Sequence, residues 1–139
     1  MTWLYNDGPY EPPEEFNPKV IYGFVYLIES MDTGRKYVGK KFFWMSKTRQ
    51  VNKKKKRYKA ESDWREYYGS SESLQLDVQK YGKDRFVRTI LHICKSKGEC
   101  SYLEAKEQFD RSVLLTDDYY NTWISVTTRS NHVTGLYLK

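Results

Sequence analysis

Gly23-Phe24-Val25-Tyr26 and Tyr37-Val38-Gly39-Lys40-Lys41 decide the fold of this chain. Each string reads as a β-strand, because aromatic and β-branched side chains fit a pleated, half-buried surface. The first lies inside Val20 to Ser30, an apolar run that predicts a central strand. The second opens Lys36 to Phe43, the return strand. Asp32-Thr33-Gly34 between them is turn chemistry. Alternation puts Tyr22, Phe24, Tyr26 and Ile28 on one face, and groups Tyr37, Gly39 and Lys41 on one face of the partner. Loop length decides whether these faces coincide. Pairing of Ser30 with Arg35 across four residues sets Ile28 opposite Tyr37 and makes Tyr26 a diagonal neighbour of Tyr37. A two-residue loop keeps that parity and a three-residue loop breaks it. Gly39, lacking a side chain, leaves a hollow for close approach of a phosphate. Packing alone is the common role of two tyrosines in a hairpin.

Outward from the hairpin, residues 1–19 form an acidic, Pro-rich N-terminal arm, packed through Trp3, Tyr5 and Phe16. Residues 20–139 are read as a single domain, consistent with one modest core for a chain of 139 residues. Gln50 to Lys59 is polar and non-periodic and reads as a loop. Ser62-Asp63 caps a short helix through Trp64 and Tyr68. Ser70 or Ser71 caps the next helix, whose apolar face is Leu74, Val78 and Tyr81 and whose stop is Gly82. Phe86 to Ile93 is a third strand. A last helix starts at Ser96 or Ser101, with a core stripe of Tyr102, Ala105, Phe109 and Val113. Val133 to Leu138 reads as a final short strand. The order predicts an α/β (α+β) fold: a small, mostly antiparallel three-stranded sheet flanked by helices.

Charge is unevenly spread. The net charge is +6, yet the first eighteen residues carry Asp7, Glu11, Glu14 and Glu15 and no cation. Lys47, Arg49, Lys53, Lys54, Lys55, Lys56, Arg57 and Lys59 crowd one stretch without an acid. Such a concentration suits phosphate, since each neutralised phosphate releases counterions. A solvated basic loop is the bland alternative. Cys94 and Cys100 have no zinc spacing and His92 and His132 lie apart, so no metal site is expected there; Cys94, in a predicted strand, is expected to be a buried free thiol, which fits a reducing cytoplasm. No leader or long apolar run is visible, so no membrane partner is expected.

The two strings resemble the paired Gly-Ile-Tyr and Tyr-Ile-Gly strands of the GIY-YIG nuclease family. One residue is inserted between Gly23 and Tyr26, which makes Tyr26 the anchor. Asp63-Trp64-Arg65-Glu66-Tyr67-Tyr68-Gly69-Ser70-Ser71, then Leu74 and Tyr81-Gly82, look like a segment of phage-encoded members, especially the SegE-like group. Glu99 to Phe109, followed by Tyr119-Tyr120-Asn121, looks like the family's glutamate helix and later asparagine. The resemblance covers roughly residues 20–125.

It implies a DNA endonuclease of phage homing-like type, acting on double-stranded DNA in the host cytoplasm with one Mg²⁺ or Mn²⁺ ion. Tyr26 and Tyr37 match the tyrosines that activate water and bind the scissile phosphate. Glu104 and Glu107 are candidates for the metal-holding glutamate: Glu104, which begins a polar stripe of Glu104, Gln108 and Arg111, is preferred, while the spacing of Glu107 to Asn121 keeps the choice open; Asn121 matches the asparagine. No arginine matches the family's position cleanly. Arg49, or Lys40 and Lys41, would supply that charge, although lysine lacks a two-pronged grip on phosphate. Nearby Lys40, Lys41 or the metal would favour an ionised tyrosine. Ser101-Tyr102-Leu103-Glu104 is also a capping-box pattern, whereas a start at Ser96 frees Glu104. Lys47, Lys53, Lys54, Lys55, Lys56 and Arg57 would track the DNA backbone without reading sequence. The alternatives are a catalytically inactive nucleic-acid binder on the same fold, and a protein-binding module that docks through the acidic arm.

Overall fold

A computed structural model describes residues 2–136. In chain order the elements are β1 (Leu4–Tyr5), β2 (Gly8–Pro9), β3 (Gly23–Ser30), β4 (Lys36–Phe42), β5 (Trp44–Val51), β6 (Lys54–Glu61), α1 (Glu72–Tyr81), β7 (Phe86–Cys94) and α2 (Lys97–Asp110). Short 3-10 turns punctuate them at Trp64–Glu66, Lys83–Arg85, Ser130–His132 and Thr134–Leu136.

The three predicted antiparallel strands are adjacent in the order β7-β3-β4, but the sheet is larger than three strands. Its order is β2-β1-β7-β3-β4, and β5-β6 is a separate two-stranded ribbon. The main sheet is mixed, because β1 runs parallel to β7 with Leu4 beside Thr89. Strands of two residues, one ending in Pro9, offer no alternation to detect. The arm is nevertheless packed as expected: Trp3 is buried against Phe24 and Tyr26, and its Nε1 donates to the Trp64 carbonyl at 2.7 Å.

Two apolar layers cover the sheet. Trp3, Phe24, Tyr26, Ile28, Phe43, Trp64, Leu74 and Phe86 belong to one, which takes in α1. Val25, Val38, Cys94, Cys100 and Val113 make the other, beneath α2. The Ser71 side chain caps α1 by accepting from Leu74 N, Leu74 and Val78 are buried, and Gly82 ends the helix at φ +99°.

Three further expectations are corrected. The loop expected at Gln50 to Lys59 is most of the ribbon, closed by Asn52 and Lys53 at φ +51° and +63°. Positive φ at both residues is the tight-turn geometry that matches strand twist. Both faces of the ribbon lie in solvent, so no hydrophobic alternation marks it. In α2 the Ser96 side chain accepts from Glu99 N, so the helix starts upstream and Glu104 is interior. The expected core stripe holds at Ala105 and Val113, which are buried, and fails at Tyr102 and Phe109, 38% and 59% exposed, while Cys100 and Gln108 are buried instead. Polar side chains on the inward face bond the edge of β4, which is why hydrophobicity alone misassigned part of the buried face. Of the strand expected at Val133 to Leu138, Thr134–Leu136 is a 3-10 turn and the remainder lies outside the described residues. Among the described residues no helix is long and apolar enough to cross a membrane.

Candidate active site

The loop between β3 and β4 is the four-residue one, since Ser30 N donates to Arg35 O at 2.9 Å. Ile28 therefore faces Tyr37 and Tyr26 faces Gly39. The rings of Tyr26 and Tyr37 share a face, with centroids 6.1 Å apart. The hollow expected at Gly39 is filled by the Tyr26 phenol itself. A Cβ at position 39 would lie 2.5 Å from Tyr26 Oη and 2.9 Å from Tyr37 Cε2. Gly69, at φ +91°, closes the other side: its Cβ would lie 2.7 Å from Leu74 Cδ2 and 3.6 Å from Tyr26 Oη.

Tyr26 is 1% exposed and bonded to Tyr67. Burial, with the neighbouring Tyr67 and Tyr37 phenols, holds its pKa well above the ordinary tyrosine value. That reverses the ionisation expected from nearby lysines. Lys41 is spent elsewhere, on Asp63 at 2.7 Å and over the Tyr67 ring at 4.1 Å. Tyr37 is half-buried and its hydroxyl meets Ser70 Oγ at 3.1 Å. Burial raises its pKa too, against the lowering effect of that hydrogen bond.

Lys40 projects from the opposite face of β4, toward α2. Its Nζ donates to Ser101 Oγ at 2.9 Å and lies 3.6 Å from Glu104 Oε1. The Glu104 side chain is 14% exposed, and burial raises its pKa despite the pull of Lys40. Glu107 is differently placed. It bonds His92 Nε2 at 2.8 Å and Arg111 Nε at 2.9 Å. Burial pushes Glu107 up, but those two partners outweigh it and leave the carboxyl below its ordinary range.

Because β4 is an edge strand, groups from its two faces meet around it. A cleft of 660 Å³ is lined by Tyr37, Lys40, Glu104, Gln108, Tyr120 and Asn121, among others. Asn121 acts as a one-residue strand: its Oδ1 accepts from Val38 N at 3.1 Å and its Nδ2 donates to Val38 O at 2.8 Å. Gln108 Nε2 donates to the same carbonyl at 3.0 Å. That bond fixes the amide orientation, and buried Gln108 Oε1 is left without a hydrogen-bond partner among the described residues.

The structure thus brings Tyr37, Lys40, Glu104 and Asn121 to one cleft, with Tyr26 sealed behind Tyr37. Lys41 is turned to Asp63. Arg49 is not in the cleft lining; it sits on the ribbon beside the Tyr58 ring, at 5.4 Å. Lys47, Lys53, Lys54, Lys55, Lys56 and Arg57 are all exposed on the ribbon. Sequence reasoning gave no role to Tyr67, Ser70 or Trp123, the last 71% exposed in the cleft lining, and noted Gln108 only as part of a polar stripe. Gln108 alone left a usable signal, one helical turn beyond Glu104.

The family described as "Putative endonuclease segE, GIY-YIG domain" matches residues 3–124, and the chain belongs to that SegE-type GIY-YIG family. The chain is also 30% identical over 101 residues to the protein named "Putative endonuclease segE" of Enterobacteria phage T4. That alignment covers 73% of this chain and 40% of the phage T4 protein, so the chain spans well under half the length of its relative. No solved structure matches the chain.

Proposed function

We propose that the chain is a divalent-metal-dependent endonuclease that hydrolyses phosphodiester bonds of double-stranded DNA, of phage homing-like type. One observation carries this reading: Tyr37 and Lys40, from the two faces of an edge strand, and Glu104 from α2 line one cleft in a chain of this family. Two buried free thiols suit a reducing cytoplasm such as a phage host provides.

The donors fit a hard cation. Among the described residues no cluster of three His, Cys, Asp or Glu side chains exists. A single carboxylate suits Mg²⁺, which keeps several waters and takes oxygen ligands. Glu104 is a carboxylate whose charged form is disfavoured by burial and would gain from a cation. The orphaned Gln108 Oε1, one turn away, is a second oxygen in need of a positive partner. Glu104 would hold the ion and Gln108 would support it directly or through water. When bound, the ion supplies a lowered pKa for water and charge stabilisation at phosphate.

The chain's own groups do the rest. Tyr37 presents the accessible phenol to the phosphate and its attacking water. Lys40 contributes a point charge to a phosphate oxygen. Tyr26 is a positioning residue that fixes Tyr37 through ring contact, and Asn121 and Gln108 hold the β4 backbone in place.

Plasmid cutting tests this reading. Wild-type protein is expected to nick or linearise supercoiled DNA with Mg²⁺ or Mn²⁺ and to lose this in EDTA. Tyr37→Phe and Glu104→Ala are expected to lose about 10²-fold or more in rate while binding DNA normally. Tight binding without cutting under any divalent ion would refute it. The reading of an inactive binder has one observation in its favour: Lys40 is the one cation of the described cleft lining, and no arginine is present there.

A further inference from the structure

The β5-β6 ribbon is an unusual object to find folded. An isolated two-stranded hairpin is marginal in water and normally needs an apolar face against something. Here Met45 to Gln50 and Lys54 to Lys59 are exposed, and no acid lies between Trp44 and Glu61. Arg49 pairs directly with Lys56 across the strands. Like charges facing each other destabilise a sheet, so this element suits a polyanionic partner rather than its own fold.

The two faces differ in chemistry. One carries the pairs Ser46–Lys59, Thr48–Arg57 and Gln50–Lys55. The other carries Lys47–Tyr58, Arg49–Lys56 and Val51–Lys54. The first face sets the Ser46 and Thr48 hydroxyls, the Gln50 amide and the Arg57 guanidinium, groups whose donors and acceptors match base edges, beside Lys55 and Lys59. The second carries Lys47, Arg49, Lys54 and Lys56 beside Tyr58 and Val51, with no Ser, Thr or amide side chain among them. The first face is also the one turned to the body at the ribbon's base. Trp44, on that face, donates its Nε1 to Ile21 O at 2.8 Å, and Lys59 Nζ reaches Tyr22 Oη at 3.2 Å. A ligand lying between ribbon and body meets this face first.

Size selects the ligand. Two strands about 5 Å apart, with their side chains, make a bar roughly 10 Å across. The major groove of B-form DNA is about 12 Å wide and admits a two-stranded ribbon; the minor groove, at about 6 Å, does not. The major groove of an RNA duplex is too narrow for side chains to read.

Resting on the nuclease reading for its partner, we propose that the ribbon inserts into the major groove of duplex DNA, with Ser46, Thr48, Gln50 and Arg57 toward the base edges and Arg49 and Lys56 among those serving the phosphates. The ribbon then confers sequence preference, where backbone tracking alone was expected from the sequence.

The test uses the full chain in EDTA, so that nothing is cut. Duplexes of about three helical turns (~30 bp) with a randomised centre are selected for binding. Wild-type protein is expected to enrich a motif, and methylation of guanine N7 within that motif is expected to block binding. Gln50→Ala and Arg57→Ala should each relax the motif at one or two base pairs and lose about 5- to 150-fold on the selected site. Arg57→Lys should restore affinity for all duplexes but not the motif. Arg49→Ala and Lys56→Ala should weaken selected and scrambled duplexes alike and each lower the salt slope by about one. Equal binding of an RNA duplex, indifference to N7 methylation, or a motif untouched by the ribbon variants would overturn the proposal. A protein that selects DNA through the ribbon yet never cuts refutes the nuclease reading alone. One that cuts without ribbon dependence refutes this inference alone.

Discussion

The cleft and the ribbon share one chain and follow opposite rules. Around the cleft, side chains are interlocked. Tyr26 is wedged between two glycines, Asn121 has both ends of its amide occupied, and Val38 O receives two donors. On the ribbon almost every side chain is in solvent, and cations face cations. The contrast separates two uses of sequence. Cleft residues hold geometry to fractions of an ångström, so substitutions there act on stability and chemistry together. Ribbon residues hold charge and pattern, so substitutions there should act on binding and leave the fold alone.

The strongest attempt to break that contrast is Gly39→Ala. Its Cβ would sit against the Tyr26 hydroxyl, forcing the ring from its site. Urea melts should show a loss of about 1–3 kcal/mol, with plasmid cutting abolished. On the ribbon, Thr48→Val should change stability by no more than about 0.5 kcal/mol. If Gly39→Ala is as mild as Thr48→Val, the tight packing of the cleft is wrong.

Asn121→Ala comes next. It removes both bonds to Val38 and leaves the Val38 N–H unpaired. A cost of about 1–3 kcal/mol is expected from the orphaned donor, with faster amide exchange along β4.

The two glutamates of α2 sharpen the comparison within the cleft region, because their pKa values move in opposite directions. Glu104 is raised in the folded state, so its proton is favoured by folding. Wild-type stability therefore falls as pH rises from the unfolded carboxylate range through the folded value of Glu104. Glu104→Gln should remove this fall and raise Tm by a few degrees at neutral pH, while any stabilisation by Mg²⁺ disappears. Glu107 is lowered, so its contribution is present above the unfolded carboxylate range and is lost as pH falls through its folded value. Glu107→Gln should lower Tm at neutral pH, and the difference from wild type should vanish in acid. Melting curves across pH check both signs.

The smallest expected effect lies at the ribbon's tip. Lys53 holds φ +63°, where glycine is favoured in this turn. Lys53→Gly should stiffen the ribbon, by roughly 1 kcal/mol at most, and cost a little DNA affinity through the lost charge. Hydrogen exchange of ribbon amides and a binding isotherm measure the two.

Legibility in the sequence followed the same divide. The β3-β4 hairpin was readable because one buried face imposes alternation and Asp32-Thr33-Gly34 marks the turn; even the loop parity that aligns Tyr26 with Tyr37 was among the options. The caps at Ser71 and Ser96 and the stop at Gly82 were local chemistry and were readable too. The ribbon was not, because exposed strands carry no hydrophobic period. The inward face of α2 was misread at Tyr102 and Phe109 because Glu104 and Gln108 turn toward an edge strand; their polar stripe was visible, but that it faces protein was not. The separation of Glu104 from Glu107 likewise needed His92 and Arg111 in three dimensions. Arg49 was offered beside Lys40 and Lys41 for the family's arginine; it lies on the ribbon and outside the cleft lining, a placement that only the fold displays.

The most direct test of the cleft as the active centre is a crystal soaked in Mn²⁺ and measured for anomalous scattering. The account predicts one ion within the cleft, in direct oxygen-ligand reach of Glu104 and on the side of Gln108 Oε1. A cleft that stays empty at saturating Mn²⁺, or an ion seated at Glu107 instead, would contradict it.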